Sequence, residues 1–533
     1  MTKAIDFNVG YASQRAPMMG RNAVATSQPL AAQAGMRMLM LGGNAVDAAI
    51  ATAMALTVVE PTGCGIGSDA FAIVWDGNTL HGLNASGRSP ASWHADMFAG
   101  KKAVPELGWD AVTVPGAVSG WVALAERFGS LPLTTLAQPA IEYARNGFPV
   151  SPLIGHLWQR GYRKLKDQPG FSACFAPQGR APAVGEIFRN PAQARSLKLI
   201  AQTNGEAFYR GELAQKIAAF AREHGAHLSE ADLANHKADW VTLLSREFAG
   251  GSVHELPPNG QGIATLIALG ILEQCDISRH HPDSVQSLHL SIEAMKLALA
   301  DLDRYVADED HLEFAAERLL SDDYLKSRAA LINPDKASDF VYGEPTQSGT
   351  VYLSTADASG MMVSFIQSNY MGFGSGVVVP DTGISLQNRG CGFVLDPKHP
   401  NALAGGKRPL HTIIPGFALG ADGKPLMSFG VMGGPMQAQG HMQMALRIML
   451  HGQNPQAAID APRWRVVQGR DVSVEATFDR NVIAALRERG HQITVEDPLA
   501  GYNFGGAQVV YRMAEGHYVA ATESRKDGQA LVS

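Results

Sequence analysis

The stretch Gln347-Ser348-Gly349-Thr350-Val351-Tyr352-Leu353-Ser354-Thr355-Ala356-Asp357-Ala358-Ser359-Gly360-Met361-Met362-Val363-Ser364-Phe365 decides how the rest of this chain is read. Thr, Val, Tyr, Leu and Phe favour strands, and Asp357 to Gly360 supplies turn chemistry between two of them. Gly349 has no Cβ, so its carbonyl can be twisted and approached closely. Thr350 places a hydroxyl beside that carbonyl. Attack there moves the chain from amide to ester, and hydrolysis leaves Thr350 as a new N-terminus, with nucleophile and amine base in one residue. Gly-Thr is also an ordinary way to start a strand, so the surrounding chain must decide between the two.

Working outward, 533 residues with 46% hydrophobic and 18% charged content fit a folded protein with a large core. A net charge of −6 gives no reason to expect nucleic acid or an anionic membrane as partner. Cys64, Cys174, Cys275 and Cys391 show no CxxC spacing, against a structural zinc site or a disulfide framework. The first residues, MTKAIDFNVGYASQRAP, contain no apolar signal core, and the most apolar run, Ala48 to Val59, is too short to span a bilayer. The expectation is a cytoplasmic protein.

Upstream, a strand near Val24 precedes a helix from Leu30 to Leu41 that Gly42-Gly43 ends, and a second helix runs from Ala45 to Val59 before Pro61. That second helix is apolar nearly all round, as a helix buried against another layer is. Ala70 to Trp75 and Leu80 to Leu83 read as a hairpin across Asp76-Gly77-Asn78, and Asn84 to Pro90 is a polar loop at a strand end, a common seat of binding residues. Pro115 to about Ala330 reads as mainly helical, and Pro334 to Ser348 as an exposed linker leading into Thr350. Beyond Thr350 strands dominate, with helices at Gln437 to Leu450 and near Asn481 to Arg489. Helices therefore flank at least two groups of strands, which is a layered α/β protein. Strong hairpin signals argue against a doubly wound parallel sheet.

Several stretches together resemble the gamma-glutamyltransferase family of N-terminal-nucleophile (Ntn) hydrolases. They are Pro29-Leu30-Ala31, Gly42-Gly43-Asn44-Ala45-Val46-Asp47-Ala48-Ala49, Val59-Glu60-Pro61 and Gly65-Ile66-Gly67, then Val114-Pro115-Gly116, Glu293-Ala294-Met295-Lys296-Leu297-Ala298, Lys407-Arg408-Pro409-Leu410 and Gly433-Gly434-Pro435. Each is weak alone, but their order and spacing run from about residue 24 to the end. The resemblance implies the four-layer αββα Ntn fold, with two mainly antiparallel sheets between helical layers. It also implies cleavage between Gly349 and Thr350, giving a large subunit of residues 1–349 and a small subunit of residues 350–533 that interlock in one unit, an arrangement compatible with a dimer of such heterodimers. Thr350 is then the catalytic nucleophile, Gly433 and Gly434 aim backbone N–H groups at the oxyanion, and Ser368 stands where the family has a Thr that supports the nucleophile. No cofactor or metal is called for.

The substrate pocket departs from the family pattern. Gamma-glutamyltransferases grip the free amino-acid end of their substrate with an Arg, a Ser pair and an Asp that meets the ammonium. Here the matching stretch is Gln387-Asn388-Arg389-Gly390-Cys391-Gly392-Phe393, so Gly392 replaces the acid and Arg389 replaces a neutral residue. The Ser pair becomes His411-Thr412, and the loop Arg is displaced from position 86, now Ser86, to Arg88. A pocket that loses a carboxylate and gains a guanidinium rejects an ammonium and favours an anion. Arg88, Arg389, His411 and Thr412, with Asn369 and Tyr370 next to Ser368 on their strand, form the expected substrate-binding group. The pattern is most similar to the branch of the family that includes oxamate amidohydrolases of bacterial purine catabolism, so oxamate, a carboxylate joined to a primary amide, is the expected substrate. A gamma-glutamyl hydrolase or transpeptidase, an acylase of the cephalosporin type, and a processed but catalytically degenerate binding protein are the alternatives. Gly372-Phe373-Gly374-Ser375-Gly376 lacks dinucleotide-binding spacing and continues as strand, and His254 and His280-His281 lack a metal-ligand set.

Overall fold

The computed structural model describes residues 14–340, 349–497 and 503–533. Gln347, Ser348 and the second half of the Pro334–Ser348 stretch lie outside the described residues.

Two seven-stranded antiparallel sheets lie face to face. The first runs Gln529–Val532, Ala23–Thr26, Gly349–Ala356, Met362–Tyr370, Asp69–Trp75, Leu80–Ala85, Asp239–Val241. The second runs Met18–Gly20, Tyr518–Thr522, Gly506–Arg512, Pro425–Met432, Gly416–Leu419, Gly251–Glu255, Leu244–Phe248. Phe71, Tyr352, Ile366, Phe417, Met432 and Val510 fill the space between them. Outside the first sheet, Ala45–Val59 is buried along its whole length, capped by a box in which Asn44 and Asp47 bond each other's backbone N–H. Outside the second, Gly262–Glu273, Val285–Tyr305 and Met436–Ala445 supply the other apolar layer. The result is the αββα architecture expected from the sequence. Each sheet draws strands from both sides of the Gly349–Thr350 bond, so the two parts of the chain could not separate without opening both sheets.

Three expectations need correction. The region read as mainly helical contains Asp239–Val241, Leu244–Phe248 and Gly251–Glu255. Two of these three close sheet edges, where one flank faces water and polar residues hide the strand pattern. Residues 334–340 are not simply an exposed linker: Ala337 is buried, its N–H donates to Arg489 O at 2.7 Å, and Ser338 N–H donates to Glu293 Oε2 at 2.9 Å. The helix read as Gln437 to Leu450 is α-helical over Met436–Ala445 and turns into a π-helical segment at Leu446–Leu450. No helix among the described residues is long and apolar enough to cross a membrane.

Candidate active site

Thr350 sits at the head of a central strand, where the pairing of Gly349–Ala356 with Met362–Tyr370 shifts register between Gly349 and Val351. Such an irregularity re-aims a side chain out of the ladder. Thr350 Oγ1 lies 3.2 Å from Ser368 Oγ on the partner strand. Ser368 Oγ also accepts the Tyr370 N–H at 2.7 Å. Behind Thr350, the loop after Ala45–Val59 presses close: a Cβ on Gly63 would meet Val351 Cγ1 at 2.9 Å and the Thr350 carbonyl oxygen at 3.3 Å. Gly63, two residues beyond the Val59-Glu60-Pro61 motif, thus has no room for a side chain against the nucleophile's backbone.

A cavity of about 270 Å³ opens on Thr350 and is also lined by Gly433, Glu60, Met371, Phe373, Met436 and Lys526. Gly433 and Gly434 join Pro425–Met432 to Met436–Ala445, with φ of +126° and +61°. Only glycine adopts the first of these without strain. Their N–H groups make no hydrogen bond among the described residues, while Gln261 Nε2 holds the Gly434 carbonyl at 2.8 Å and also bonds Thr412 O. Two backbone donors are therefore held beside Thr350 with nothing to donate to, the arrangement an oxyanion site requires.

On the other flank, Arg389 is buried, its guanidinium 4.3 Å from the Tyr370 ring centroid and its Nη1–H donating to Thr412 Oγ1 at 2.8 Å. Nε and Nη2 have no hydrogen-bond partner among the described residues. Burial lowers its pKa to about 10, which still leaves it charged at neutral pH. Tyr370 holds a φ of +76°, a strained state for an aromatic residue, placing its ring under the cation. Neighbouring Asp69 accepts the Gly87 and Gly116 N–H groups and the His411 Nε2–H at 3.1 Å. Burial raises Asp69 to about 7, against the opposing pull of Arg389, and burial with the nearby arginines holds His411 well below its ordinary value.

The structure thus brings Thr350, Ser368, Gly433, Gly434, Tyr370, Arg389 and Thr412 together. His411 is adjacent but fully engaged by Asp69 and Ile413 N–H. Asn369 is spent on Ser68 and Ser385. Arg88 is not brought to this group: it pairs with Asp308 at 3.0 Å and reaches Gly406 O. Gly392 packs so that a Cβ would stand 3.0 Å from Leu410 O, so an acid there would not fit without movement. Sequence reasoning missed Gln261, Asp69 and Lys526. Gln261 carries no motif, and Lys526 lies far along the chain from every residue it joins in the cavity.

Among the described residues, His289, Glu293 and His491 bring donor atoms within 4.8 Å of one another. Lys296 Nζ, however, sits 2.6 Å from Glu293 Oε1, and His289 bonds His491 and Asn333 O. The cation in that cluster is the lysine.

The gamma-glutamyltranspeptidase family model matches residues 31–533. The glutathione hydrolase-like YwrD proenzyme of Bacillus subtilis is 37% identical over 94% of this chain and 96% of its own length. The oxamate amidohydrolase proenzyme of Klebsiella pneumoniae is also 37% identical, over 94% of this chain and 96% of its own. A crystal structure of cephalosporin acylase from Bacillus halodurans superposes with a TM-score of 0.95 at 48% identity, covering 100% of this chain and 99% of that one.

Proposed function

The chain belongs to the gamma-glutamyltranspeptidase family of amide-hydrolysing Ntn enzymes, and we propose that it cleaves itself between Gly349 and Thr350 and then hydrolyses a small amide whose acyl half carries a carboxylate. Oxamate, giving oxalate and ammonia, is the simplest such amide. The observation that carries this reading is Arg389, a buried cation over the Tyr370 ring, two residues along the strand from Ser368, with two N–H groups unpartnered among the described residues. Two donors on one planar guanidinium suit a bidentate carboxylate. An ammonium would find a cation there, and Gly392 occupies the position where the family carries an acid; the nearby Asp69 is already engaged by His411 and by the Gly87 and Gly116 N–H groups.

Cleavage converts Thr350 N into an α-amine, whose usual pKa of about 7.7–8.0 leaves a useful unprotonated fraction at neutral pH. The amine takes the Thr350 Oγ1 proton as that oxygen bonds to the amide carbon. Ser368 Oγ stabilises the developing alkoxide, and the Gly433 and Gly434 N–H groups receive the oxyanion. The C–N bond then breaks, the departing nitrogen takes the proton from the α-amine, and water activated by the same amine hydrolyses the ester. Several glutathione hydrolases and an oxamate amidohydrolase stand among the relatives, so Arg389 and Gly392 weigh more here than the names. An acylase-type substrate with a larger amine half is favoured by one observation, the cavity volume, which exceeds what ammonia needs.

The test is turnover by one cleaved sample of oxamate and of a gamma-glutamyl anilide. Ammonia released from oxamate with no anilide cleavage supports the reading; anilide cleavage alone overturns it.

A further inference from the structure

One side chain joins the oxyanion turn to the residue that bonds Arg389. Gln261 is buried directly before the helix Gly262–Glu273, and its backbone is fixed by the bond from its N–H to His411 O at 3.0 Å. Its Nε2 carries two hydrogens in a planar fork. One goes to Gly434 O at 2.8 Å and the other to Thr412 O. Both partners are carbonyl oxygens, so the amide can meet them only with its nitrogen; turned over, it would set oxygen against oxygen. Thr412 in turn accepts the Arg389 Nη1–H on its Oγ1 at 2.8 Å. A path of hydrogen bonds therefore runs from the cation Arg389 through Thr412 and Gln261 to the turn that carries the Gly433 and Gly434 N–H groups.

The turn is not stiff by itself. Gly433 and Gly434 both hold positive φ and have no side chain to lock their peptide planes. Besides Gln261, the Gly434 carbonyl accepts the Gln437 N–H at 3.0 Å, a bond within the start of its own helix. The Gln437 side chain links that helix to the Ile414 N–H at 3.0 Å, two residues beyond Thr412. Gln261 thus ties the turn directly to Thr412. We propose that Gln261 is the positioning residue that couples recognition of the acyl carboxylate to the oxyanion donors. A carboxylate held by Arg389 sets Thr412, and Gln261 carries that setting to the Gly434 peptide. Binding energy from the carboxylate is then expressed in kcat as well as in KM, and a neutral acyl half is rejected in both. This deepens the function proposed above and rests on Thr350 as nucleophile and Arg389 as the carboxylate site.

Two measurements on the cleaved protein test it, each with Gln261→Met, which keeps the length of the side chain and removes both donors. In the first, oxamate turnover is followed in the wild-type protein, Gln261→Met, Arg389→Met and the double variant. Gln261→Met is expected to lower kcat at least about 10-fold, and Arg389→Met to lower kcat as well as raise KM. In the double variant kcat is expected to stay within about threefold of Gln261→Met alone, because the path is already cut. Fully additive losses in kcat, as from a glutamine that only supports the fold, would overturn the coupling. In the second, phenylboronic acid, which has no carboxylate, is titrated by calorimetry. Thr350 Oγ1 bonds to boron, its proton passes to the α-amine, and the tetrahedral boronate anion offers a hydroxyl oxygen to the oxyanion donors. Gln261→Met is expected to weaken this adduct at least about fivefold, and Arg389→Met to leave it within about twofold. If oxamate is not turned over but the boronate keeps its dependence on Gln261, the carboxylate reading fails and the positioning of the oxyanion turn stands. If the boronate binds the wild-type protein and Gln261→Met alike, the proposal is overturned whatever the acyl half proves to be.

Discussion

Two buried arginine sites in this molecule solve opposite problems. Arg463 and Arg525 lie against Glu523 and Glu475: Arg463 Nη2 is 2.7 Å from Glu523 Oε2, and Arg525 is 2.7 Å from Glu523 and 2.6 Å from Glu475. Glu523 accepts the Ala507 and Arg525 N–H groups as well, and its pKa falls to about 2 because the arginines and these donors outweigh burial. Arg463 retains one N–H without a partner; Arg389 retains two and has no carboxylate within ion-pair distance. A buried cation costs several kcal/mol to desolvate unless it is paired. The first site meets that cost with carboxylates of the fold. The second is left for a ligand to meet. The paired cations hold the C-terminal strands in place, and the open one marks the pocket.

That contrast can be broken by substitution. Arg463→Met should destabilise the protein by about 3–5 kcal/mol in denaturant unfolding, because it strips a partner from the buried Glu523 and strands the Phe504 carbonyl. Glu523→Gln should cost about 3 kcal/mol near neutral pH. The native carboxylate titrates near 2 rather than near its usual 4.5, so its contribution is complete above pH 4.5 and is lost as the pH falls toward 2. The gap between the two proteins should close over that window; a constant gap would mean the charge is not what Glu523 contributes. Arg389→Met should instead lower kcat/KM for an anionic substrate by about 10- to 150-fold, the equivalent of about 1.5–3 kcal/mol for a charge-assisted contact, while leaving the unfolding midpoint equal or higher. A loss of stability like that of Arg463→Met would place Arg389 with the structural pairs. The smallest effect belongs to Ser368→Ala, which removes one hydrogen bond to Thr350 and should reduce turnover about fivefold, near 1 kcal/mol.

How far the sequence carried this account depended on the kind of residue. The fold was legible because the strand pair around Thr350 carries strand formers about a clear turn, and because the helix Ala45–Val59 is apolar nearly all round, as a helix between layers is. The strands between Asp239 and Glu255, two of them at sheet edges, were not legible: half-exposed strands carry Arg, Glu and His at positions a buried strand would fill with valine. In the site, Gly433, Gly434, Thr412 and Arg389 were readable from short motifs. Arg88 was not, since its partner Asp308 is a long way off in the chain and no local pattern announces an ion pair.

The most direct test of the central claim, that Thr350 is the nucleophile freed by cleavage after Gly349, is the intact mass of the purified protein and of its Thr350→Ala variant. The account predicts that the 56.7 kDa chain resolves into two species, about 37 and about 20 kDa when that mass is prorated over residues 1–349 and 350–533, and that the variant stays whole and inactive. Subunits formed by the variant, or a single full-length mass from an active wild-type protein, would contradict it.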